Sequence, residues 1–358
     1  MADAPSTANP RPADDEIRRR VTAALQVLAD TRQSGHPELD EALAHLARFL
    51  AGGKRMRAAF AYRGWQAAGG KGDDHAVIAV GASLELTHAF ALLQDDVIDS
   101  SATRRGLPTM HHHVSARHAR AHWRGLPDRY GAAVAHLCAN RCWGWAGQLV
   151  DQAVTNRAQA AAIKAVTDQM LLDGTHGEHL ELVLQAQRSF NAARCRQVSH
   201  YKTGLIMFKP PLLAGALLTG AEKPLLDAYA AFGTAIGEAY QLRDDLLGVY
   251  GDPAVTGKPN LDDLREGKPT PLAAEALQRA TPDQSAVFHR LYGRPDLDEE
   301  GAGILRSLFR DTGAVTAIEQ DITDRLRTAV QALIDAELPA PAIELLTTTA
   351  RTALDRTH

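Results

Sequence analysis

The sequence predicts an all-α protein, and three observations carry that prediction. Ala and Leu are abundant, whereas aromatic residues make up only 5% of the chain. Apolar residues recur at spacings of three and four along most of its length, the period of a helix with one buried face. No segment of useful length alternates apolar and polar residues, as a half-buried strand would.

Taken in order, residues 1–13 (MADAPSTANPRPA) are rich in Pro, Ala and polar side chains and read as a disordered tail. Asp14 and Asp15 resemble a helix N-cap ahead of EIRRRVTAALQVLAD. Helical periodicity continues in ALAHLARFL, from Val77 to Leu93, and in AAVAHLCANRCWGWAGQLV. Breaks fall at Gly52-Gly53, Gly69-Gly70, Gly106 to Pro108, Gly125 to Pro127, Pro210-Pro211, Pro253, Pro259 and Pro269. The polar stretch Thr281 to Glu300 reads as loop-rich, and helical periodicity resumes at Ile304. One helical domain spanning residues 14–358 is the simplest organisation.

Composition excludes several function classes. A net charge of -4 gives no field to recruit nucleic acid or an anionic membrane, so anion binding must come from local basic clusters. The three cysteines, Cys138, Cys142 and Cys195, are too few for a disulfide framework, which predicts a reducing, cytoplasmic setting. The N-terminus lacks the basic segment and apolar core of a signal peptide, so none is expected. The apolar run from Val77 to Leu93 is interrupted by Glu85 and His88, so no membrane span is expected.

Two acidic motifs carry the chemistry. Asp95-Asp96-Val97-Ile98-Asp99 follows an apolar run, and positions 95 and 99 fall one helical turn apart on one face. Carboxylates that close repel each other, and a bound cation removes the cost. Mg²⁺ takes few protein carboxylates and fills its shell with water and phosphate oxygens, so the spacing suits a metal–diphosphate clamp. The second motif, Gln241 to Asp252 (QLRDDLLGVYGD), again ends an apolar helical run. A single Asp-Asp pair is most often a solvated face or a cap; two in this setting argue against that. Cations supply the complement: Lys54, Arg55 and Arg57 beside Gly52-Gly53, Arg104-Arg105, then Lys202, Lys258 and Lys268.

The ordered set GGKRMR, His88 in LELTHAFALLQDDVIDSSATRRGLPT, YKT, QLRDDLLGVYGD and GKP resembles the trans-prenyl diphosphate synthases over roughly Lys54 to Thr270. That resemblance implies an isoprenoid synthase-type helical bundle around a deep central cavity, usually homodimeric. It implies that Asp95 and Asp99, supported by Asp96, bind two Mg²⁺ ions, and that Asp244, near Gln241 and Asp245, binds a third. Arg104, Lys202 and Lys258, assisted by Lys268, match residues that hold the allylic diphosphate (dimethylallyl, geranyl or farnesyl). Lys54, Arg57, His88 and Arg105 match the isopentenyl diphosphate pocket, and Thr203 a residue near the reacting carbons. The implied reaction is ionisation of the allylic substrate, attack by the double bond of isopentenyl diphosphate, and loss of a proton.

A helical wheel does not by itself nominate Phe90. In the family, however, the residue five before the first Asp commonly limits chain length, which points to Phe90, with small Ala91 beside it. This favours geranylgeranyl diphosphate; farnesyl or longer products remain open, as do a terpene-cyclase-like relative and a non-catalytic subunit. The chain departs from the family pattern at Gly248, where a third Asp is usual, and at Ala139-Asn140, Glu178, Glu181 and Pro269. His111, His112, His113, His118 and His122 lack zinc-site spacing and read as phosphate-proximal or surface groups. Cys138 and Cys142 read as small buried fillers, and GDPAVTGKP lacks the spacing of a P-loop.

Overall fold

The computed structural model describes residues 10–30, 36–251 and 261–355. The all-α class is the class found: helices dominate, and the strands β1 (Thr103–Arg104) and β2 (Leu107–Pro108) form only a two-stranded antiparallel hairpin. The chain divides into two compact units, Met1–Thr167 with Ala214–Gly220, and Asp168–Leu213 with Ala221–His358.

The first unit holds α1 (Pro10–Asp30), α2 (Pro37–Ala51), α3 (Met56–Ala67), α4 (His75–Ile98), the hairpin, α5 (Met110–Arg120) and α6 (Pro127–Ala153). Helix α1 starts at Pro10, ahead of the cap expected at Asp14-Asp15. Prolines at positions 10 and 12 fit a first turn, where the missing N–H would have no helical partner. The earlier part of the expected tail lies outside the described residues. Helix α4 is apolar on nearly every face, and Val80, Ala82, Leu84 and Leu86 are fully buried, so it is a core helix. It is long and apolar enough to cross a membrane, with a mean hydropathy of 1.7, yet 72% of that stretch is buried inside the protein. Val21, Leu25, Leu46 and Cys142 belong to the same core, and each fully buried leucine contributes about 2 kcal/mol.

The second unit takes the latter part of α7 (Arg157–Gln187), then α8 (Ala192–Ser199) and a π-helical turn (His200–Gly204). After α9 (Lys209–Leu217) come α10 (Lys223–Tyr250), α11 (Asp262–Glu266), α12 (Pro271–Arg279), α13 (Pro282–Leu291), α14 (Glu299–Asp311), α15 (Ala314–Asp335) and α16 (Ala340–Leu354). In α10 the buried residues Tyr229, Phe232, Ile236, Ala239, Leu242, Leu246 and Val249 recur every three to four positions. This stripe aims the helix's polar end, Gln241 to Asp245, by fixing its rotation. The stretch expected to be loop-rich contains α13, which opens with a full capping box between Thr281 and Gln284. The Thr-Pro-x-Gln order was the missed signal.

Candidate active site

In the first unit the acidic motif ends α4, with Asp99 as its C-cap. A helix C-terminus already carries partial negative charge, so three carboxylates there build a potential that only a cation relieves. Asp95 and Asp99 are half-buried; Asp96 is 1% exposed. Arg104, from the hairpin, donates to Asp95 at 2.9 Å and to Asp96. Burial pushes the Asp96 carboxyl up and Arg104 pulls it back. Arg104, expected on a diphosphate, is therefore seen folded onto the acidic motif.

Arg105, adjacent in the hairpin and in the left-handed region at φ 54°, reaches back to the Gly52-Gly53 turn. It donates to the carbonyls of Phe49 (2.9 Å) and Gly52 (2.8 Å) and lies over the Phe49 ring. Gly53 has φ +112°, a conformation that calls for glycine, and the Arg105 guanidinium lies against it. The turn thus exposes Lys54 while burying Arg55 and Arg57. Arg55 donates to Thr22 and the Leu50 carbonyl. Arg57 is 5% exposed; burial pulls its guanidinium down to about 10, and its Nε has no hydrogen-bond partner.

His88 on α4 is pushed well below the ordinary imidazole range, first by burial and then by Arg57, Arg105, Arg104 and Arg55. It is a neutral hydrogen-bonding group set among cations. A buried counter-charge is Glu85, 4.0 Å from Arg55 and accepting from the Ala58 amide. Glu85 did not emerge as a site residue in the sequence, where it looked only like a break in an apolar run.

The hairpin that carries Arg104 and Arg105 is held by His45 of α2, whose Nε2 donates to the Pro108 carbonyl at 2.9 Å. His45 is buried and stacks on His113 with centroids 4.0 Å apart. His118 is also buried, 3.1 Å from the Arg124 carbonyl. His113, stacked on His45, and the buried His118 are packing groups, not the phosphate-proximal or surface groups that the sequence favoured. Phe90 is half-buried against the core, its ring 6.0 Å from that of Trp143 on α6, and Ala91 is half-buried beside it. Cys138 and Cys142 are buried thiols pushed up by desolvation. Of the departures on α6, Ala139 is buried and Asn140 exposed.

In the second unit the π-helical turn carries Lys202 and Thr203. A turn one residue wider than α breaks the helical register and re-aims these side chains. Lys202 pairs with Glu178 at 2.8 Å and with Glu181, so two of the departures from the family pattern are its partners. Thr203 donates its hydroxyl hydrogen to Gln241, and Gln241 donates to Asp245 at 2.7 Å. This relay joins the YKT segment to the second acidic motif. Asp244 is half-buried, whereas Asp245 is 5% exposed and its Oδ2 has no hydrogen-bond partner. Burial raises the Asp245 carboxyl far above the usual range. An orphaned carboxylate oxygen beside a second carboxylate fits a hard divalent cation. Lys268 sits between Asp263 (3.6 Å) and Glu266 (3.2 Å), and its carbonyl accepts from the buried Tyr292 hydroxyl at 2.6 Å. Lys258 lies outside the described residues.

A helical protein with two acidic helix ends, a cationic pocket and a lysine on a π-turn has the site parts of a prenyl-transferring enzyme. The polyprenyl synthetase family model matches residues 36–306, and the chain belongs to that family. A solved structure of geranylgeranyl pyrophosphate synthase from Corynebacterium glutamicum, complexed with isoprenyl diphosphate and magnesium, superposes with a TM-score of 0.87. It shares 34% identity, covering 96% of this chain and 98% of that one. Geranylgeranyl diphosphate synthase of Sulfolobus acidocaldarius is 27% identical over 93% of this chain and 96% of its own length. Geranylfarnesyl diphosphate synthase of Aeropyrum pernix is 29% identical over 86% of this chain and 89% of its own length.

Proposed function

We propose that this prenyltransferase condenses isopentenyl diphosphate with an allylic diphosphate to make geranylgeranyl diphosphate, using Mg²⁺ held by Asp95, Asp99 and Asp244. The observation that carries the reading is the set of four arginines around His88, of which Arg55 and Arg57 are buried. An enzyme that only ionises an allylic diphosphate has no use for a second anion pocket; an elongating one does. The two geranylgeranyl synthases among the relatives support the product length. The same reading has three Mg²⁺ ions, residues 14–358 acting as one catalytic domain, and a cytoplasmic homodimer.

Bound Mg²⁺ would neutralise charge on the leaving diphosphate as its C–O bond breaks. The chain's own cations do the rest of that work: Arg104, Lys202, Lys258 and Lys268 hold the allylic diphosphate. Lys202 exchanges Glu178 and Glu181 for phosphate oxygens, which makes those carboxylates its resting partners. Thr203, its hydrogen committed to Gln241, turns oxygen lone pairs toward the allylic cation. Lys54, Arg57 and Arg105 fix isopentenyl diphosphate, and neutral His88 donates a hydrogen bond without adding charge. The proton lost at the end goes to the released diphosphate, so no side-chain nucleophile is needed.

The deciding experiment incubates the purified chain with labelled isopentenyl diphosphate, Mg²⁺ and each allylic diphosphate in turn. Labelled twenty-carbon product is expected, and Asp95→Asn or Asp244→Asn should slow its formation by about 10²–10³-fold. No labelled product with any primer would overturn the reading. An unlabelled hydrocarbon from a long allylic diphosphate alone would point to a cyclase instead.

A further inference from the structure

The π-helical turn that presents Lys202 and Thr203 is closed by a bond from the Leu205 amide to the His200 carbonyl, 2.8 Å long. Five residues carry too few such bonds to hold a rare geometry unaided. The support comes from α10, and it reaches both ends of the turn. At the far end Thr203 donates to Gln241, and the backbone of Thr203 and Gly204 lies against Gly237. At the near end His200 opens the turn, and its Nδ1 lies 2.6 Å from Oε1 of Glu238. An ionised carboxylate only accepts, so Nδ1 carries the hydrogen and donates. The Glu238 side chain then runs across Gly204, where a built Cβ would come 2.7 Å from its Cγ. Glu238 and Gln241, three residues apart, share one face of α10.

The plain alternative is that Glu238 only ties two helices together. Its Oε2 meets Arg325 of α15, and Arg325 also pairs with Asp321 on its own helix at 2.9 Å. That tie uses one carboxylate oxygen. The other fixes a residue two positions before Lys202 and three before Thr203, so the two roles sit on different atoms and can be removed separately. Losing the His200 bond frees the start of the turn, and its two functional side chains feel that differently. Lys202 has a long flexible stem that re-aims easily. Thr203 is β-branched, so its hydroxyl moves with the backbone.

We propose that Glu238 is a positioning residue for prenyl transfer: by holding His200 it fixes the start of the π-turn and thereby the aim of Thr203. The inference rests on the role given above to Thr203 near the reacting carbons, and the test separates the two claims. Steady-state kcat, and KM for each diphosphate, are measured on the full chain. The variants are Glu238→Ala, Glu238→Gln, His200→Ala, His200→Asn, the double Glu238→Ala with His200→Ala, Thr203→Val and Arg325→Gln, each checked by thermal melting.

Glu238→Ala and His200→Ala should each lower kcat by up to about 10²-fold and leave KM for isopentenyl diphosphate unchanged. The double variant should lose no more than either single one, because both cut the same link. Glu238→Gln keeps an oxygen that accepts from Nδ1, and His200→Asn places an amide nitrogen where Nδ1 was, so both should retain most of kcat. Arg325→Gln should melt earlier with kcat near native. Native kcat in Glu238→Ala, with Thr203→Val impaired, overturns this inference alone; native kcat in Thr203→Val overturns the role beneath it. Multiplying losses in the double variant, or an equal loss of kcat in Arg325→Gln, would mean that the carboxylate serves packing and would overturn the positioning role. Should Glu238→Ala not fold, the two His200 variants carry the test, and an equal loss in both overturns the proposal.

Discussion

At the scale of single residues, roles follow from what each side chain touches. Phe90 packs against the core of the first unit with its ring 6.0 Å from that of Trp143, so truncating it opens space beside α4. Phe90→Ala should shift products toward chains longer by at least one isoprene unit, read by chromatography of the dephosphorylated prenols; an unchanged distribution removes Phe90 from the floor. Much of the candidate site was nominated at this scale, from a carboxylate pair at one-turn spacing and a lysine after a glycine pair. What the sequence hid were partners distant in the chain. Glu85 looked like an interruption, yet it is a counter-charge to Arg55 and Arg57. Spacing finds neighbours along a helix; it does not find groups brought together by tertiary packing.

At the scale of elements, the π-turn shows how packing sets aim. A Cβ on Gly237 of α10 would lie 2.6 Å from the Gly204 carbonyl oxygen and 2.9 Å from that of Thr203, so α10 and the turn touch backbone to backbone. Gly237→Ala should cost about 1–3 kcal/mol in urea unfolding and should lower kcat more than it raises KM for either diphosphate. Equal loss of kcat in a remote variant of matched stability would argue against a role in aiming Thr203. Helices α4 and α10 were plain in the sequence because their apolar stripes are long. The π-turn was not, since five residues, HYKTG, carry no period of their own. Helix α13 was missed for the opposite reason: its polar face outweighed a strong cap.

At the scale of the whole molecule, the all-α class followed from composition and period alone, whereas stability depends on groups that composition cannot reveal. His45 is buried against His113, and burial first, then His113, lowers it from 6.5 to about 4. An unfolded chain takes up that proton near pH 6.5 and the folded chain only near pH 4, so the stability is present above pH 6.5 and drains away as pH falls toward 4. Between about pH 7.5 and pH 5 this site should cost the native protein about 2 kcal/mol. His45→Gln, which keeps a donor for the Pro108 carbonyl, should show a flatter dependence in urea midpoints measured across that window. Parallel slopes for the two proteins would exclude His45 as the source.

The left-over positive charge beside Glu85 has a wider consequence. Two guanidinium groups, Arg55 and Arg57, are shut away from water with the buried Glu85 acting on both, and one Nε is left without an acceptor. Such an imbalance burdens the empty protein, and a polyanion arriving there would ease the burden as well as occupy the pocket. Inorganic diphosphate alone, without metal or prenyl chain, should therefore act as a folding ligand and raise the melting temperature with the logarithm of its concentration.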